Sequence, residues 1–161
     1  MISFMENHQL EQFSFFQGLS EYDIERLKSM LELCSLPADM VLFEQDHDAN
    51  FLYILLDGEV GIEYKPYDGP ADIIARVLPG NVFGWSAALN RKKYSTSART
   101  LKNSSAYRIE TTNLTNLCDC SPDIAHVFLK RLAGVIAEHI EASPEELLVF
   151  LRASLKLQDE C

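Results

Sequence analysis

Between residues 40 and 110 the chain alternates short runs rich in β-branched and aromatic residues with clusters of turn formers. The runs are MVLFE, FLYILLD, EVGIEYK, ADIIARVL, STSARTL and SAYRIE, and the turn residues fall at 46–50, Asp57-Gly58, 66–70, 79–81 and 102–104. Runs this short cannot satisfy a helical period. At regular spacing they predict an antiparallel sandwich or barrel. Asp57-Gly58 is a strong hairpin signal between the second and third runs.

Helical periodicity appears on both sides. Residues 1–19 mix Phe13, Phe15, Phe16 and Leu19 with polar positions and turn at Gln17-Gly18, which reads as a short helix laid on the body of the domain. Ser20 precedes Ile24, Leu27, Met30 and Leu31 at helical spacing, with Asp23 as a capping-box-like carboxylate, so the next helix is expected to run to about Cys34. After Glu110, residues 111–117 fit a short helix. Ser121-Pro122 then opens a longer one, with Ser as N-cap and Pro at the first position. On a wheel, Ile124, Val127, Phe128, Leu132, Val135, Ile136 and Ile140 cover an arc of roughly 220°, about twice what one contact needs. Two occupants fit the excess: a partner helix from a second copy, or a last helix opened by Ser143-Pro144. The whole chain, 1–161, is read as one domain with helices at 1–38, a sheet region at 39–110 and C-terminal helices at 111–161.

Composition narrows the function. With 161 residues, 47% hydrophobic and 24% charged, this is an ordinary globular chain. A net charge of −10 argues against a nucleic-acid surface, which needs a Lys/Arg excess; Arg91-Lys92-Lys93 is the one local candidate and reads as a solvated loop. Cys34, Cys118, Cys120 and Cys161 are read as reduced thiols, because Cys-x-Cys at 118–120 is not a usual zinc spacing. The N-terminus lacks the basic and apolar regions of a signal peptide. No window approaches the ~18 apolar residues of a membrane span. The expectation is a soluble, cytoplasmic protein without membrane contact.

The stretch 78–101, LPGNVFGWSAALNRKKYSTSARTL, carries the most specific signal. A glycine followed by a short helix points free N–H groups outward, where an anion can bind. Pro79-Gly80, Phe83-Gly84, the small run Ala87-Ala88-Leu89 and the strand entry 95–98 make it resemble the phosphate-binding cassette of the cyclic-nucleotide-binding domain family. Upstream, Tyr53, Leu55, Gly58 and Val60 are similar to that family's Tyr-x-Ile-x-x-Gly-x-Val signature, and residues 15–20 look like its lead-in. The resemblance covers roughly residues 13–140. It implies a mainly β fold with flanking α: a double-stranded β-helix (jelly-roll) barrel with N- and C-terminal helices, of the kind found in CRP/FNR-like sensors.

Two positions depart from the family pattern. Trp85 stands where the family has the glutamate that takes the ribose hydroxyl. Tyr94, or Ser95 if the loop is one residue longer, stands where it has the arginine that pairs with the cyclic phosphate. A phenol or hydroxyl cannot replace a bidentate guanidinium, so both departures speak against cyclic AMP and cyclic GMP as ligands. Asp46, where the family usually has glycine, tolerates the left-handed geometry of such a turn.

Other chemistry is thin. Asp46-His47-Asp48 looks like a metal cluster on paper, but His8, His47, His126 and His139 are scattered, and a solvated turn is the plainer reading. No nucleophile-and-base motif is visible, so no enzyme is expected.

The first functional expectation is therefore a regulatory ligand-sensing module, in which ligand shifts the helix after the barrel. Its candidate site is Gly84, Trp85, Ser86, Ala87, Tyr94, Ser95 and Thr96. A cyclic nucleotide or another small anion is the candidate ligand, with the amides of Ser86 and Ala87 available to it. The alternative is a ligand-free dimerisation or protein-interaction domain whose pocket Trp85 plugs, with Tyr94 closing the other side. A homodimer through the 121–141 helix and an unknown protein partner are expected; for a full-length chain DNA binding is not expected, since the last twenty or so residues cannot hold a multi-helix reader.

Overall fold

Ser20 starts the first helix described along its length. Its Oγ accepts from the Asp23 amide at 3.1 Å, and its extended backbone blocks a further turn upstream. The computed structural model of the chain describes residues 10, 13, 15–66, 68–85, 92–120 and 122–137. In it, helix α1 spans Glu21–Lys28 and buries Ile24 and Leu27.

The expected continuation to Cys34 does not form. Ser29 Oγ donates to Arg26 O at 2.6 Å and closes the helix. Glu32–Leu36 is instead strand β1, paired along its length with β8 (Ser104–Glu110), from Glu32 opposite Arg108 to Leu36 opposite Ser104. Leu27, Leu31 and Cys34 imitate a helical stripe, but a full ladder to a distant strand decides the conformation. The sheet region accordingly begins at residue 32, not 39.

Between these lie β2 (Val41–Phe43), β3 (Phe51–Asp57), β4 (Val60–Tyr64), β5 (Asp72–Val77), β6 (Val82–Phe83) and β7 (Ser97–Thr100). One antiparallel sheet runs β1-β8-β3-β6 and the other β2-β7-β4-β5. They form a jelly roll of two facing sheets, and among the described strands the sheets do not close into the expected barrel.

Strand β3 is buried on both faces, and its period of two sorts its side chains. Leu52, Ile54 and Leu56 join Tyr107 and Ile109 in a core shared with the helices. Tyr53 and Leu55 face the second sheet with Phe43, Ala98 and Ala106. The Asp57-Gly58 turn forms, with Gly58 at φ +95°, but it does not close the expected hairpin: β3 and β4 do not pair with each other, and the turn carries the chain from one sheet to the other.

Helix α2 spans Thr111–Cys120, a turn longer than expected, and α3 spans Pro122–Ala137. Ser121, the expected cap, lies outside the described residues. Helix α3 packs on α1, α2 and β6. Arg26 of α1 grips Asp123 at its start with two hydrogen bonds of 3.1 and 3.2 Å. Within the wide apolar arc, Ile124, Phe128, Leu132, Val135 and Ile136 are buried, in one cluster with Phe13, Phe15 and Phe16. Phe15 meets Phe128 edge-on at 5.1 Å. Much of the arc is thus used inside the chain; Ile140 and the expected last helix lie outside the described residues. No described helix is long and apolar enough to cross a membrane.

Candidate functional site

The site grows from a mismatch in strand length. Leu55 bonds across the sheet edge to Asn81 O at 2.9 Å and to Gly80 N at 2.8 Å, so Leu55, Tyr53 and Phe51 present their backbone to the same side. Strand β6 pairs Phe83 with Tyr53 and ends there. Two residues on, the N–H and C=O of Phe51 need other partners. Tyr94 supplies them: its hydroxyl donates to Phe51 O at 2.7 Å and accepts from Phe51 N at 3.1 Å.

A left-handed turn holds Tyr94 in place. Asp46 has φ +71°, as expected of the residue standing in for glycine. The segment around it clasps the segment before β7: Asp46 N donates to Tyr94 O, Tyr94 N to His47 O, and Ala49 N to Lys92 O, each at 2.9 Å. The Tyr94 ring stacks on Phe43, centroids 3.8 Å apart and planes 16° from parallel. Tyr53 and Phe83 stack alongside at 4.9 Å and 8°. Burial pushes the Tyr94 phenol up to about 12, against the opposing pull of its backbone hydrogen bond to Phe51, so it stays neutral near pH 7.

Gly84 follows β6 at φ +74°. A Cβ there would lie 3.1 Å from Phe51 O and 3.3 Å from the rings of Phe43 and Tyr53, so this position requires glycine on both counts. Trp85 comes next, half-buried.

These elements enclose a cavity of about 320 Å³. Strands β4 and β5 contribute Ile62 and residues 74–77; β2 and β6 contribute Phe43, Val82 and Phe83. Gly84, Trp85, Tyr94, Ser95 and Thr96 complete the described wall, which brings five of the seven expected site residues together. Ser86 and Ala87, with the amides expected to hold an anion, lie outside the described residues. Trp85 also packs against the core shared with the helices. It stands in the cavity wall and leaves the space beside it open. Tyr94 does not reach across from the opposite side; its hydroxyl is directed to Phe51.

Arg76 is the one cation on the described wall. Its guanidinium is 62% exposed and pairs with Glu59 at 2.8 Å. Lys92 and Lys93 are exposed and are not among the described lining residues. His47 Nε2 lies 3.4 Å from Glu44 on the surface. Among the described residues, no three His, Cys, Asp or Glu converge as metal ligands. Cys34 is a free thiol raised by burial.

Sequence reasoning missed the apolar half of the wall. Phe43, Ile62, Val82 and Phe83 read as ordinary core. The one available signal was Ile73-Ile74 in β5: adjacent strand residues point to opposite faces, so both cannot join one core, and both are in fact exposed, Ile74 by 59% while lining the cavity.

The description "Cyclic nucleotide-binding domain" matches residues 33–120, more than half of the chain. The chain belongs to the cyclic nucleotide-binding domain family. It is 25% identical over 118 residues to a CRP-like cAMP-activated global transcriptional regulator of Mycobacterium tuberculosis, covering 73% of this chain and 53% of that protein. The chain thus spans about half the length of the curated relatives it matches. Among solved structures, a cyclic nucleotide-binding domain from Methylobacillus flagellatus superposes with a TM-score of 0.72 at 20% identity, covering 82% of this chain and 74% of that one. The Thermus thermophilus catabolite activator protein superposes with a TM-score of 0.66 at 22% identity, covering 78% and 57%. At these identities the structural likeness bears on the fold.

Proposed function

We propose that the chain is a regulatory ligand-sensing domain whose small-molecule site is the cassette cavity. Gly84, Trp85, Tyr94, Ser95 and Thr96 form its wall, and Ser86 and Ala87 belong to the intervening segment. The observation that supports this reading is the double position of Trp85. One part of it faces the cavity, and another packs against the core that contains α3. A ligand that moves Trp85 changes the packing of the helices, and the effect requires only that it bind the two arrangements unequally. The proposal includes a cytoplasmic setting. It assigns no DNA contact and no catalytic step.

A homodimer through residues 121–141 belongs to the same proposal. Its support is the outer side of α3, where Val127 is half-buried and a Cβ on Gly134 would meet open space. Sedimentation equilibrium across a concentration series tests it, and a monomer at every concentration removes it.

For the sensing reading, the test is a thermal-shift screen with cyclic AMP, cyclic GMP and uncharged aromatics, with emission of the sole tryptophan as a second channel. A bound ligand at a hundred times its Kd stabilises by about 2.7 kcal/mol, well within detection. A hit that also shifts Trp85 emission is expected. Blue-shifted emission unresponsive to every compound favours the ligand-free interaction domain.

A further inference from the structure

Recognition of a phosphate requires a donor directed into the cavity. The resemblance puts the family's arginine position at Tyr94 or Ser95, and the single hydroxyl of Tyr94 is already committed in both directions to the Phe51 backbone. Turning it toward a ligand would leave two partly buried backbone groups without partners. Its high pKa keeps the phenol uncharged, and a neutral phenol has no fork to offer an anion. Arg76 is drawn off to Glu59. The chain's net charge of −10 lowers the local concentration of any anion near the mouth.

What the described part of the wall offers is mainly apolar. Ile62, Ile74, Val77 and Val82 line it together with Phe43, Phe83 and Trp85. Phe43, Phe83 and Tyr94 are each more than nine-tenths buried in one stack, so the aromatic surface open to a ligand is chiefly that of half-buried Trp85. Such surfaces favour flat aromatic partners in offset or edge contacts. Hydroxyls enter through Ser95, which is exposed, and Thr96, which is half-buried. A cavity of about 320 Å³ lies at the small end of the roughly 300–1,000 Å³ range of ligand pockets.

We infer that the cavity selects an uncharged, flat, largely apolar molecule with one or two hydrogen-bonding groups, and discriminates against cyclic nucleotides. The inference rests on the reading of this cavity as a ligand site and adds the chemical class of the ligand.

The test uses the full chain and the uncharged probe N-phenyl-1-naphthylamine, followed by its fluorescence enhancement, with cyclic AMP as competitor. Saturable micromolar binding that cyclic AMP at millimolar concentration does not displace is expected. Ile74→Glu places a carboxylate on the wall at a residue exposed enough to leave the fold intact, and weakens the probe by about tenfold or more. Glu21→Gln, at an exposed position of α1 away from the described wall, leaves probe affinity unchanged, and circular dichroism confirms that both variants fold. Probe binding indifferent to Ile74→Glu would place the probe elsewhere and overturn the inference. Cyclic AMP binding that excludes or displaces the probe would overturn the ligand class and leave the sensing reading standing. If neither compound binds, the class fails for this probe and the sensing reading fails for both ligands, a pattern distinct from the other two.

Discussion

Replacing Tyr94 by Phe removes one oxygen and keeps the ring. In the native chain that oxygen donates to Phe51 O at 2.7 Å and accepts from Phe51 N at 3.1 Å. Both partners lie where β6 has ended, so no strand takes over when the hydroxyl goes. Each bond contributes about 0.5–1.5 kcal/mol net, so the variant is expected to lose about 2 kcal/mol. The stack on Phe43 at 3.8 Å is retained, which separates this loss from that of the aromatic contact. Urea unfolding followed by circular dichroism gives the number, and the m-value should not change. A loss below about 0.5 kcal/mol would refute the reasoning: Phe51 would then be satisfied by water, and Tyr94 would be free to serve the cavity.

The same phenol makes stability depend on alkaline pH. Its folded pKa of about 12 lies above the ordinary value of 10.0, so its contribution is complete below pH 10 and is lost as pH rises toward 12. Burial raises Tyr53 and Tyr107 as well, so Tyr94→Phe flattens only part of that slope in a stability-versus-pH series. Gly84→Ala forces a side chain onto φ +74° and against Phe51 O, costing about 1–3 kcal/mol in the same unfolding assay. Gly134→Ala, in the interior of α3 with open space around the new methyl, should stabilise by about 0.5–1 kcal/mol. Tyr107 is fully buried and its hydroxyl has no hydrogen-bond partner among the described residues, so Tyr107→Phe is expected to be neutral or to raise the thermal midpoint slightly.

The fold was legible wherever local chemistry agreed with the tertiary outcome. All six apolar runs became strands, and Asp57-Gly58 and Asp46 took the positive or turn geometry their types permit. Strand β1 was not legible because ELCSL continues the spacing of α1, while its partner β8 lies some seventy residues away. Strand β6 is two residues long, too short for any period to register.

At the site, the resemblance pointed to Gly84, Trp85, Tyr94, Ser95 and Thr96, which the structure brings to one cavity. The role of Tyr94 was not legible. It depends on where β6 stops relative to β3, a register that no local pattern encodes. The wall residues of β2, β4 and β5 were hidden for a different reason: a side chain lining a cavity and one filling a core obey the same alternation.

The most direct measurement for the central claim is a two-dimensional ¹H–¹⁵N correlation spectrum of the labelled chain, titrated with N-phenyl-1-naphthylamine. The account predicts shifts in the Trp85 indole and in the amides of Val77, Gly84 and Thr96, spreading into α3 through the contact behind Trp85. Shifts confined to the groove lined by Phe15, Val127 and Gly134, or a spectrum that does not change, would contradict it.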